Sequence, residues 1–163
     1  MALVKNTLAS ELEVIFDSNK PAAAANAASQ WARAYASFAA MAMSSASSLP
    51  VNAMANTGIL TGAFTGAFNS QSTSGAASAI SSGVMSFWQA IVWVGTTAAG
   101  ATVSPGNFGL ASTLQSIFED LGEKSAGDKA SEMADAFEAG AKAVMVSDIP
   151  FIQPAPPIVG PIS

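Results

Sequence analysis

Cysteine and histidine are absent from the chain. With no thiol there is no disulfide, thiolate nucleophile or zinc ribbon. With no imidazole the commonest general base is missing as well. Charge is scarce: Asp, Glu, Lys and Arg make up 10% of the residues, against roughly 25% in an ordinary soluble domain. The basic residues Lys5, Lys20, Arg33, Lys124, Lys129 and Lys142 are scattered, and the net charge is −5. Phosphate binding needs clustered cations, so nucleic acid is not expected as a partner. Aromatics are few at 8%, while hydrophobic residues, led by alanine, reach 50%. Met1 to Lys20 carries Glu11, Glu13 and Asp17 where a secretory signal would run apolar, so no signal peptide is expected there.

The few charges are unevenly placed. From Ala34 to Phe118 there is no Asp, Glu, Lys or Arg. Two readings stand. The surface of this span is solvated by Ser, Thr and Asn, or it is covered by neighbouring subunits. A free monomer normally scatters charge over its surface for solubility, and a buried subunit has less need of it.

The 163 residues fit one domain with a sizeable core. Leu3 to Phe16 reads as a helix, with Val4, Leu8, Leu12 and Ile15 on one stripe. Pro21 opens a second, to about Ser45, with Trp31, Tyr35, Phe38 and Ala42 on its large face. In Asn52 to Gln71, Gly58, Gly62 and Gly66 recur every four residues beside Phe64 and Phe68. The regular step favours a helix over a Gly-rich loop. Three glycines cost such a helix roughly 3 kcal/mol relative to alanine, which close contact with another helix would offset. Ala76 to about Thr96 is the most apolar helix, and Ala98 to Asn107 a loop. Phe108 to Leu121 is a helix stopped by Gly122, and Asp128 caps a last one to about Val146.

The end differs in kind. Pro150, Pro154, Pro156, Pro157 and Pro161 forbid a helix, yet Phe151, Ile152, Ile158, Val159 and Ile162 are large and apolar. The expected architecture is therefore all-α: a compact bundle of five or six helices over residues 1–147. An extended Pro-rich arm over 148–163 docks in a groove, on its own subunit or a neighbour. The expected interface residues are Phe151, Ile152, Pro154, Ile158, Val159 and Ile162 of the arm, and Gly58, Gly62 and Gly66.

Signatures of chemistry are missing. There is no phosphate loop and no nucleophile elbow. Asp128, Glu132 and Asp135 share a helical face, the ordinary pattern of a solvated surface. No catalytic residue, cofactor, metal or small-molecule substrate is expected. Gly83 to Val103 is long enough to span a bilayer, but it is interrupted by polar residues and lacks a basic flank. Membrane insertion of the apolar segment 76–96, as in a holin, is the alternative function.

Four strings occur in order: Leu8-Ala9-Ser10-Glu11-Leu12, Gln30-Trp31-Ala32-Arg33-Ala34-Tyr35, Gly83-Val84-Met85-Ser86-Phe87-Trp88 and Pro157-Ile158-Val159-Gly160-Pro161-Ile162. This arrangement resembles the small Ala/Ser-rich virion structural proteins of tailed bacteriophages. The likeness spans most of the chain, its motifs are unspecific, and no functional residues carry over. It implies a repeated, non-catalytic subunit of a capsid, neck or tail, located in the virion. Its partners would be other virion proteins and copies of itself.

Overall fold

The first helix, α1 (Lys5–Asp17), buries Leu8 and Leu12, two members of the stripe read from its spacing. In the computed structural model, which describes residues 4–17, 24–44, 47–94, 98–104, 109–120, 122, 124–150 and 158–162, α1 is followed by α2 (Ala24–Ala39). Next come β1 (Leu49–Pro50), a 3-10 turn at Met54–Asn56, α3 (Thr57–Phe68), α4 (Thr73–Ala90) and β2 (Trp93–Val94). The remaining elements are β3 (Ala98–Ser104), α5 (Leu110–Glu119), α6 (Ala126–Lys142), β4 (Met145–Pro150) and β5 (Ile158–Pro161). Helix dominates, as expected of a compact bundle.

The helices pack in a closed circuit. Each lies against the next in sequence, and α6 returns to α1. Lys5 and Asp135 bridge that last seam at 2.7 Å. The centre is aromatic. Trp31 of α2 meets Phe16, Phe64, Phe68 and Phe137 edge-on, at centroid distances from 5.3 to 6.4 Å. One turn on, Tyr35 packs against Phe87 and Phe137 and accepts a hydrogen bond from Trp88 Nε1. Burying such a side chain contributes about 1.5–3 kcal/mol. The abundant alanines let the helices approach: Ala28, Ala32, Ala36 and Ala39 of α2 are fully buried.

Two small sheets flank the bundle. β1 and β2 pair antiparallel, Leu49 opposite Val94 and Pro50 opposite Trp93. β4 is the centre of the second sheet, antiparallel to β3 on one side and to β5 on the other.

Several boundaries differ from expectation. α2 ends at Ala39, not near Ser45, because a serine turn takes over. There Ser44 N–H donates to the Ser48 carbonyl, Ser48 N–H to Ser44 Oγ, and Ser47 sits at φ 63°. α4 starts early, at Thr73, since Ser72 Oγ accepts from Gly75 N–H as its cap. It stops at Ala90 where residue 96 was expected, and Ile91 turns extended to begin the ribbon. Ser125, not Asp128, caps α6; Asp128 is the donor whose N–H it holds. No described glycine has positive φ, so Gly122 is not a left-handed stop; the cap of α5 is Asp120.

The main correction concerns the end of the chain. The expected loop 98–107 contains β3, and the stretch assigned to an extended arm contains the end of β4 and all of β5. Ile158 pairs with Asp148 and Val159 with Ser147, so the backbone at 158–161 joins the subunit's own sheet. Ile162 is buried in the same core as Val144 and Val146. The expected division at 147/148 falls within β4. Prolines did not prevent a strand here, because Pro150 and Pro161 lie at strand ends where a missing N–H is tolerated. Phe151, Ile152 and Pro154 lie outside the described residues.

Candidate functional site

The β1–β2 ribbon is apolar on both faces. Alternation along a strand sends neighbouring side chains to opposite sides. Pro50 and Trp93 point inward and are buried. Leu49 of β1 and Val51 just after it, with Val94 of β2 and Val92 just before it, point outward at 48–61% exposure. Leu49 lies opposite Val94, and Val51 N–H donates to the Val92 carbonyl, so the four side chains form one patch. A strand pair covered on one side normally shows polar residues on the other. This one does not.

The ribbon is held firmly. Asn52 Oδ1 accepts from Val92 N–H at 2.7 Å, and its Nδ2 donates to the Ala90 carbonyl at 3.0 Å. Asn56 Nδ2 donates to the same carbonyl. These bonds satisfy the last turn of α4 and tie it to the ribbon. Behind the patch Trp88 and Trp93 stack at 6.1 Å, and both are fully buried. Met54, in the 3-10 turn that follows, is also half exposed, and its Sδ lies 3.9 Å from Ser37 Oγ.

Helix α3 has the regular spacing expected of it, with Leu60, Phe64 and Ala67 buried. Gly58, Gly62 and Gly66 are exposed on the opposite side, and a Cβ at any of the three would meet nothing within 4 Å. The glycines therefore make no close helix contact among the described residues. That contact lies elsewhere: at Gly83 of α4 an added Cβ would collide with Ala63 of α3. Thr57, Thr61 and Thr65 run beside the glycine stripe, and each hydroxyl donates to a carbonyl in the preceding turn. Their bonding capacity is largely spent on their own helix, leaving a smooth uncharged face.

The acidic residues do not converge. Asp135 pairs with Lys5, Glu132 with Lys124, and Asp128 accepts from Ser125 Oγ at 2.6 Å. Lys124 also reaches Asp120, and its hydrogen bonds to Asp120 and Glu132 raise its pKa. Among the described residues no group of three or more metal-ligating side chains comes together. An apolar pocket of about 210 Å³ is lined by Phe16, Trp31, Phe68, Ala76, Ile80 and Phe118, none of which can hydrogen-bond through its side chain except Trp31. Nor is any helix among the described residues long and apolar enough to cross a membrane.

A wider groove, of about 510 Å³, runs between α1 and α2. Thr7, Ser10, Glu11 and Val14 line it from α1; Gln30, Arg33, Ala34 and Ser37 line it from α2. Val14 is 69% exposed. Partial burial raises the pKa of Glu11.

The structure thus separates those expected interface residues that it describes into two groups. The glycines lie on an open face; the backbone of Ile158 and Val159 belongs to the subunit's own sheet and Ile162 to its core, while Phe151, Ile152 and Pro154 lie outside the described residues. The ribbon patch was not anticipated, because Val92 and Val94 fit the periodicity of an apolar helix. The signal available was alternation in Ile91-Val92-Trp93-Val94 opposite Leu49-Pro50-Val51, which only pairing reveals. Comparison with protein-family models, with curated proteins and with solved structures finds no match in any of the three.

Proposed function

We propose that the chain is a non-catalytic structural subunit that works by packing against other protein subunits, and that its setting is the particle of a tailed phage. The observation that carries the packing role is the ribbon whose outer face, Leu49, Val51, Val92 and Val94, is apolar and exposed. Such patches on soluble proteins mark surfaces that are covered in use. The uncharged exposed face of α3, at Gly58, Gly62 and Gly66, supports the same reading. Both faces fall in the span from Ala34 to Phe118 that carries no charge. The phage setting rests on the resemblance of the sequence alone. The holin-like alternative loses its footing, since the helix expected over 76–96 ends at Ala90 and turns into the ribbon.

Mass spectrometry of purified particles, with copy number, tests the setting. Many copies per particle, retained without detergent, are expected. Absence from particles overturns the phage setting, and recovery only in a detergent-extracted membrane fraction overturns the packing role as well.

A further inference from the structure

The groove between α1 and α2 differs from the other apolar surfaces in carrying one charge of each sign. Its lining residues recur at three- and four-residue steps on both helices, Thr7, Ser10, Glu11 and Val14 facing Gln30, Arg33, Ala34 and Ser37. Two such stripes side by side make a ridged two-helix face of the kind that packs against another helix pair. Arg33 is the sole basic residue between Lys20 and Lys124. It is exposed, and among the described residues it forms no ion pair, not even with Glu11 across the groove.

We propose that this groove is a two-fold contact between copies of the chain, in which Glu11 of each copy pairs with Arg33 of the other. The argument is charge complementarity. An isologous contact presents the same patch from both sides. A groove with a carboxylate on one wall and a guanidinium on the other is complementary to itself when turned through a half-rotation. Each copy supplies the opposite charge at both places, and the exposed Val14 adds apolar area on the same face. Arg suits this role because its planar fork grips a carboxylate at two points. The inference rests on the reading of the chain as a packing subunit and names one of its partners.

Sedimentation of the full chain over a range of concentrations tests it, with Glu11→Arg, Arg33→Glu and the double exchange. Circular dichroism first checks that each variant folds, which is expected because neither residue is in the core. The wild type should associate in even-numbered species. Each single reversal should weaken association about tenfold or more, since like charges then face each other twice. The double exchange should restore it. Wild-type assembly that neither reversal weakens overturns the groove contact but leaves the packing role standing on the ribbon. Loss in both single variants without rescue in the double also overturns it. A wild type that stays monomeric at every concentration overturns the contact. In that case Val51→Lys is compared for binding to purified particles. Particle binding that Val51→Lys abolishes keeps the packing role, and no binding removes that too.

Discussion

The indole N–H of Trp88 on α4 donates to the phenolic oxygen of Tyr35 on α2 at 2.8 Å, with both rings buried. The bond crosses the middle of the bundle and joins two helices that are not neighbours in sequence. Tyr35 → Phe should leave the indole N–H without its acceptor and cost about 1–3 kcal/mol, read as a lower urea midpoint. Trp88 keeps its ring contacts in this variant, so the loss reports the bond rather than a cavity.

The same tyrosine gives the fold an alkaline limit. Burial pushes its pKa well above the usual value near 10. The folded state therefore holds its proton more tightly than the unfolded chain. Its contribution to stability is complete below about pH 10 and falls as pH rises beyond that. Tyr35 is the one tyrosine in the chain, so tyrosinate absorbance reports this residue alone. A pH titration should show ionisation only together with unfolding. Tyr35→Phe should remove the tyrosine-linked part of the slope.

Glycines on α3 and α4 should respond in opposite directions. Gly83→Ala should destabilise by about 1–3 kcal/mol, because its Cβ collides with Ala63 at the helix crossing. Gly58→Ala, Gly62→Ala and Gly66→Ala face open space and should each stabilise the isolated subunit by about 0.5–1 kcal/mol through helix propensity. If the exposed face is used in assembly, the triple alanine variant will unfold at higher temperature yet assemble less well. Calorimetry paired with sedimentation separates the two effects.

The last strand should matter to the lone subunit. Ile162 is buried in the core, so Ile162→Ala should cost about 2–5 kcal/mol in the monomer. A chain ending before Ile158 loses the pairing partner of Met145 to Asp148 and should melt earlier even at high dilution. Unchanged melting would restore the idea of a detached arm.

Charge placed on the ribbon should act on assembly and spare the fold. Val51→Lys with Val94→Lys leaves Pro50, Trp93 and the Asn52 bonds in place. Solubility should rise and association fall, with the thermal midpoint nearly unchanged, as is usual for surface substitutions. A fall in midpoint by many degrees would mean that these valines belong to the core.

Much of the bundle was readable in advance. Leu8 and Leu12, Trp31 and Tyr35, Leu110 and Leu114 recur at helical steps and are buried as those steps require. The strands were not readable, for separate reasons. β1 and β2 are each two residues long, too short for any period to show. β3 is Ala98-Ala99-Gly100-Ala101-Thr102-Val103-Ser104, a composition with little strand preference of its own; it is a strand because β4 pairs with it. The prolines after Pro150 suggested a free strap because local rules see only the missing N–H groups, and what makes β5 a strand is its pairing with β4. The groove shows the same limit. Glu11 and Arg33 were visible as residues, but their placement on facing walls depends on how α1 lies against α2.

The circuit of helices has a consequence for the order of events during synthesis. α1 is made well before α6, which packs against it and ends at Lys142. At roughly 5–20 residues per second, α1 waits about 6–25 s for that neighbour. Until then the α1–α6 seam stands open to solvent or to a chaperone. The α1–α6 seam is thus among the last contacts that synthesis makes available, and the ring closes late rather than growing as a core from one side.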